Sequence, residues 1–415
     1  MKGNRLNSVW YLADKGGRAV LNLVLFAAVS RSLGPEALGD LGYGLALLAL
    51  ASGWGVPALE TWLIAQWTVV AKDRATHWMA LAGRTHVLFT GVALLVALWW
   101  QPTGVSVALL VAAGMFRGSD VFKTYLEAHG EAKRTVLFDG AAFAVGAGAK
   151  LACVWLDAEF GWFAAAFALE TVLAWPLLAW AVGAAVPGAA RALWTERVST
   201  QDWTRFVRQT FPQTLAYVLF LGQLRLGTLL LEAWSTPEAL GQWTAATRLL
   251  EVWSFVPWAL TAPWYPAAVR AGWGSVERAR LVRKMALWSL GSAAVLALPI
   301  SLGASVWVDW IYGDAFAPTA PLLTVAAFNL FPWFSYLFWV RWMHLQHRSH
   351  AVPVFSALYV VVQAVLAALW IPANGALGAA WAALVSGISV MSLAYAYGMF
   401  TNAPSPENSA KEINT

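Results

Sequence analysis

Apolar runs of about twenty residues, parted by short polar segments, recur along the whole chain. A helix needs about 20 mainly apolar residues to cross a bilayer, and in hydrocarbon a helix satisfies its own backbone groups. Measured that way, the pattern predicts spans near 9–31, 38–64, 79–100, 104–126, 135–156 and 160–186. Six more follow near 203–232, 237–265, 285–308, 317–342, 351–371 and 376–400. The predicted fold class is therefore an all-α integral membrane protein of about twelve helices. Residues 188–202 form a linker between residues 1–187 and residues 203–400, and the polar, Pro-containing segment 401–415 reads as a disordered tail.

The polar segments orient the spans. Alternate loops hold Lys72, Arg74, Lys133, Arg134, Arg191, Arg197, Arg270, Arg278, Arg280, Arg283, Lys284 and Arg348. The other set has Arg31 as its base, with Glu36, Asp157, Glu159, Glu232, Glu238, Asp309 and Asp314 as acids. Lys and Arg are retained in the cytoplasm, so both termini are expected there. The two halves also repeat. PEALG occurs at 35–39 and 237–241, Val-Pro at 56–57 and 256–257, and WLDAEFGWFAAAFAL (155–169) resembles WIPANGALGAAWAAL (370–384). Three matches in one order predict two parallel six-helix lobes, a known build of secondary transporters.

Composition narrows the function. Of 415 residues, 60% are hydrophobic and 12% charged, with mean hydropathy +0.59; soluble chains carry about a quarter charged residues. The net charge of +5 lies in short loops, so it reports topology and points to no nucleic-acid partner. One cysteine, Cys153, excludes an internal disulfide. His344, His347 and His350 fall in a solvated loop flanked by Arg341 and Arg348, so no metal site is expected. Nucleotide-binding, nucleophile-elbow and metalloprotease motifs are absent from the sequence. No cofactor is expected, and transport energy would come from an ion gradient, the membrane potential or the substrate gradient.

Polar residues inside spans are the candidate functional groups, because charge in hydrocarbon requires partners or water. Asp14, Arg18 and Asn22 form one stripe on the first helix, with Lys15 beside it. Arg205, Gln209, Gln213 and Tyr217 repeat that spacing on the seventh, beside Arg208. Thr244, Arg248 and Glu251 share a face of the eighth. Glu60 lies in the second and Arg225 well inside the seventh. Arg117 and Asp120 suit a structural pair, and Lys150, Asp139 and Glu170 are single charges with weaker claims. The stripes are expected to line a water-filled cavity, although those near helix ends can instead snorkel to the interface. Most of the 27 Trp suit interfacial belts. Gly53, Gly55 and Pro57, with Pro212 and Pro257, mark candidate bends.

The run YLADKGGRAVLNLVLFAAVSRSLGPEALGDLGYGLALLALASGWGVPALETWLIAQ (11–66) resembles the N-terminus of Wzx-like polysaccharide flippases. These belong to the multidrug/oligosaccharidyl-lipid/polysaccharide (MOP) superfamily. Arg31, Leu33, Gly34, Pro35, Glu36 and Gly39 carry one motif of that resemblance; Tyr312, Gly313, Phe316, Ala320, Leu322 and Leu323 carry the other, one position looser. The resemblance implies a V-shaped bundle with alternating access. Its implied cargo is undecaprenyl-pyrophosphate-linked oligosaccharide, moved from the inner to the outer leaflet of the bacterial inner membrane for surface polysaccharide such as O-antigen. Membrane lipids and other polysaccharide-assembly proteins are the implied partners. The motifs are turns and assign no binding residues.

For that cargo, Arg18, Arg248, Arg225 and Lys15 are the candidate pyrophosphate ligands. Asp14, Glu60 and Glu251 are candidates for charge compensation or for coupling to H+ or Na+; Asn22, Gln213 and Thr244 are candidate polar lining. A lipid II flippase and a multidrug exporter of the same superfamily are the rivals. The enzyme alternative is a glycan polymerase or ligase, which the short outer loops count against. In a Cys153→Ser background, a cysteine at Glu238 is expected to react with an impermeant maleimide in intact cells, and one at Ser349 only after the bilayer is opened. The opposite pattern would reverse the topology.

Overall fold

The structure is a computed structural model that describes residues 2–69, 75–100, 104–261, 263–271 and 275–400. The side chains of residues 2–15 lie outside that description, as do Lys72, Arg74 and the expected tail at 401–415. Residues 2–53 are helical apart from Gly34, whose φ of 73° and ψ of 176° break them into two helices. These are α1 (2–33) and α2 (35–69), and Pro35 opens the second, where the missing N–H is harmless. The other PEALG copy also opens a helix. There Thr236 caps the N-terminus by accepting from Ala239 N–H, with Pro237 at the first turn.

Next come α3 (Ala75–Trp100), α4 (Val105–Ala128), α5 (Ala132–Trp155) and α6 (Phe160–Gly183). The second half holds α7 (Thr200–Trp234), α8 (237–261), α9 (Val276–Leu302), α10 (Thr319–Leu345), α11 (351–374) and α12 (376–400). These twelve long helices are joined in places by short ones, such as Ala304–Tyr312, and among the described residues there is no strand; this is an all-α integral membrane fold. Eight stretches are long and apolar enough by themselves to cross a membrane, one of them the α11–α12 pair. The helices outside that set, α1, α2 and α8, carry three of the polar stripes or charges singled out above.

The third repeat falls on turns. Asp157, between α5 and α6, has φ 48°, and Gly375, between α11 and α12, has φ 52°. A left-handed residue reverses the chain in little length. At the second turn the closure is tight: a Cβ on Gly378 would collide with the Trp370 carbonyl. The 188–202 segment is more ordered than expected of a loop. It holds a short helix, Ala189–Thr195, because Ala189 and Leu193 are buried and Arg84 donates to the Leu193 and Glu196 carbonyls at 2.6 and 2.7 Å. Those bonds satisfy carbonyls that a helix end leaves open.

By internal packing the chain divides into two units, Met1–Arg225 and Leu226–Thr415. In the first, Trp62 meets Trp78 and Phe206 edge to face, with ring centroids 5.2 and 5.4 Å apart. Such pairs add about 0.5–1.5 kcal/mol beyond burial. In the second, Met285, Phe338 and Leu345 form a cluster with Trp264, Trp342 and Tyr395 around them. Trp339 is fully buried and donates to the Ala394 carbonyl at 3.0 Å. Trp99, Trp155 and Trp310 are strongly exposed, as interfacial rings should be.

Two expected bends are present. α2 is interrupted at Trp54–Gly55, and α8 passes through a 3-10 turn, Val252–Phe255, before Pro257. Pro212 lies inside the unbroken helix α7. Close helix contact in the second unit depends on small residues. A Cβ on Gly387 would lie 2.5 Å from Tyr359 Oη and 2.6 Å from Pro332 Cβ. Gly387→Ala is expected to destabilise the second unit by about 1–3 kcal/mol, read as a lower melting temperature in detergent.

Candidate binding site

Within the first unit, three helices bring charge together. Arg18 on α1 donates from Nη1 to Asp139 Oδ2 on α5 at 2.8 Å. Lys123 on α4 donates to the same oxygen at 3.2 Å. The Arg18 guanidinium also lies 5.7 Å from the Phe143 ring centre. One carboxylate thus serves two cations, with Asp120 and Glu127 adding negative charge near Lys123. Its groups are one-fifth to one-third exposed, so their attraction exceeds that of a surface pair without reaching the dry-interior limit.

A second ion pair stands on α4, with Arg117 Nη2 3.5 Å from Asp120 Oδ2. Arg117 Nη1 also donates to Ser52 Oγ on α2 at 3.3 Å. Nearby, buried His86 of α3 serves the break in α2: its Nδ1 accepts from Val56 N–H at 3.3 Å, and its Nε2 reaches the Gly114 carbonyl at 2.9 Å. That pairing places the ring proton on Nε2. A Cβ on Gly55 would overlap the ring, so glycine is required where the imidazole closes the gap.

In the second unit, Arg248 Nη1 donates to Glu251 Oε2 at 2.9 Å, three residues along α8. Thr244, one turn earlier, is buried. Tyr312, from one motif of the family resemblance, donates to the Ala245 carbonyl at 2.9 Å. The left-handed Gly313 (φ 83°) follows, and Phe316 is fully buried. That motif therefore builds a turn against α8.

The structure keeps Arg18, Arg248 and Glu251 in charged clusters. Asn22 and Glu60 are exposed, whereas Arg225 and Gln213 are half-buried. Arg205, Arg208 and Gln209 are exposed, and Tyr217 is half-buried. Asp14 and Lys15 lie outside the described side chains. Charges that stand alone in sequence are paired in space. Lys150 on α5 is buried, 2.5 Å from Glu170 on α6, with its ammonium 4.1 Å from the Phe167 ring centre. Asp139 is the hub of the first cluster, and Lys123 escaped the sequence reading altogether. Its signal was the demand that a lone intramembrane carboxylate find a cation; its identity needed the fold, since Asp139 and Arg18 are 121 residues apart.

His344, His347 and His350 are exposed or nearly so, and among the described residues no group of three His, Cys, Asp or Glu could hold a metal. The residues expected to flank them in solvent differ: Arg341 and Arg348 are buried, at 8% and 4% exposure, because aromatic rings cover both guanidinium groups.

No family model matches the chain, and no curated protein matches it by sequence. Solved structures do match it. A lipid II flippase MurJ in an inward closed conformation superposes with TM-score 0.67 at 10% identity, over 98% of this chain and 89% of that one. An inward-facing multidrug resistance MATE family transporter of the MOP superfamily gives 0.61 at 15% identity, over 95% of each chain. The eukaryotic MATE transporter AtDTX14 gives 0.57 at 12% identity, over 99% and 98%. The chain has the MOP transporter fold.

In this MOP-fold chain the charged trio ties three helices of the first unit together. Removing its hub takes away the carboxylate that Arg18 and Lys123 share. Asp139→Asn is expected to destabilise the protein by about 1–3 kcal/mol, below the figure for a fully buried pair because water still reaches the groups. A double-mutant cycle with Arg18→Gln, read by thermal melting, should show coupling; strict additivity would mean that the contact contributes nothing.

Proposed function

We propose that this MOP-fold chain is a flippase for an anionic lipid-linked glycan. The cargo is an undecaprenyl-pyrophosphate-linked oligosaccharide, carried from the inner to the outer leaflet of the bacterial inner membrane by alternating access. The observation that carries this reading is the sharing of Asp139 by Arg18 and Lys123. Two bases that converge on one carboxylate offer two cationic donors from separate helices to phosphate oxygens. Arginine adds a planar fork that fits them bidentately. Arg248, held by Glu251, is the corresponding candidate of the second unit, and Arg225 and Lys15 are the remaining candidate bases of the sequence.

Each carboxylate then has a role when cargo is absent: it holds its base in place and is displaced as phosphate arrives. Asp14, Glu60 and Glu251 are the groups for coupling to H+ or Na+, while Asn22, Gln213 and Thr244 supply polar contacts for sugar hydroxyls. Both termini lie in the cytoplasm. A lipid II flippase shares this phosphate chemistry, and the MurJ match favours it as the second reading. A cationic drug would be repelled by the same bases.

Arg248→Ala and Arg18→Gln are each expected to lower translocation of lipid-linked sugar by about tenfold or more, equivalent to losing one charge-assisted contact. The measurement is transfer of polyprenyl-pyrophosphate sugar in proteoliposomes, with melting temperature checked in parallel. Undiminished transport by both variants would remove these residues from the pathway; preference for the lipid II headgroup over other glycans would select the second reading.

A further inference from the structure

Arg341 lies on α10, in the second unit, and is 8% exposed. Its guanidinium carbon sits 3.8 Å from the Trp258 ring centre and 5.4 Å from that of Tyr265. Nη1 donates to Thr261 Oγ1. Thr261 can accept because its own hydroxyl proton goes to the Pro257 carbonyl at 2.6 Å. The walls of this box come from α8 and the short helix Tyr265–Arg270.

The box holds a cation without a carboxylate. Among the described residues none lies within salt-bridge reach of Arg341, in contrast to Arg18, Arg117, Lys150 and Arg248. Sequence gives the same imbalance: residues 315–400 contain two bases, Arg341 and Arg348, and no Asp or Glu. Other bases stand on the neighbouring elements. Lys284 stacks on Trp264 at 4.6 Å, Arg278 donates to the Leu345 carbonyl at 2.8 Å, and Arg348 lies 5.6 Å from the Tyr397 ring centre.

Stacking is a weak substitute for a counter-ion. A cation–π contact returns only part of what it costs to take an ion out of water. Arginine does not escape by losing its proton. Thr261 takes one of the five N–H donors. Stacked rings engage the faces of a guanidinium plane, so a further acceptor has to meet its edge, where two phosphate oxygens fit the fork.

We propose that Arg341, held by Trp258, Tyr265 and Thr261, is a binding site for a phosphate-bearing headgroup in the second unit. It is separate from the Arg18–Lys123–Asp139 cluster and stands on its own observations, independent of the cargo proposed above. The phosphate can come from a bilayer phospholipid or from a pyrophosphate ligand, and each source has its own test.

The full chain in phosphatidylcholine nanodiscs would be titrated with labelled inorganic pyrophosphate. In parallel, native mass spectrometry would measure retention of phosphatidylglycerol from mixed vesicles. Arg341→Gln is expected to weaken the anion bound by the wild type by about tenfold or more, while Arg270→Gln, an exposed base at 270, leaves it within about twofold. If Arg341→Gln does not fold, Arg341→Lys carries the test. It keeps the charge, loses the fork, and is expected to bind about threefold or more weaker at wild-type melting temperature. Arg341-dependent retention of phosphatidylglycerol alone would identify a bilayer lipid, and Arg341-dependent pyrophosphate binding would identify a pyrophosphate ligand. Absence of both, equal losses in Arg270→Gln and Arg341→Gln, or wild-type binding by a folded Arg341→Lys would overturn the proposal.

Discussion

A charge inside hydrocarbon must be matched, and much of this structure follows from how each one is. Helices solve the backbone half of the problem, since every amide finds its partner within the span. Side chains cannot solve theirs locally except at helical spacing. Arg248 and Glu251 do so on one helix; Lys150 and Glu170 must bring α5 and α6 together; Asp139 joins α1, α4 and α5. A buried ion pair contributes little net stability against an apolar pair of similar volume. Its effect is directional, because any other packing of those helices would leave charges apart. Arg341 is matched differently, by rings and a hydroxyl, and a matching of that kind leaves charge over.

The same logic governs backbone that leaves the helix. A break in a helix frees backbone groups that then need partners. In the first unit His86 fills that need by accepting from Val56 N–H and bonding the Gly114 carbonyl. An imidazole is one of the few groups that can donate at one edge and accept at the other. This couples the α2 break to the 3-10 segment Gly114–Ser119 of α4 and places both beside Arg117 and Ser52. In the second unit the turn at Gly313 is fixed by the Tyr312 hydroxyl on α8.

Much of the fold was legible because hydrophobic span length is a property of contiguous residues. Both PEALG copies open helices, and the 155–169 and 370–384 segments cover the two left-handed turns. Arg248 and Glu251 were legible for the same reason, being three residues apart. Asp139 was not. Its partners come from α1 and α4, and no local pattern states which cation a lone acid meets. Arg341 misled through position: at a span end, beside three histidines, it reads as solvated. The rings that bury it, Trp258 and Tyr265, come from another helix and a connecting segment. The short helix of the linker is not written in the linker alone, because the carbonyls at its end are satisfied by Arg84, more than a hundred residues earlier.

The turn at Gly375 bears on where the chain tolerates an insertion. α11 and α12 are joined through one left-handed glycine, and Gly378 lets the second helix begin against the Trp370 carbonyl. With so little chain between them, the two helices form a closed hairpin, and a tag or loop grafted at that turn would separate helices whose contact begins beside it.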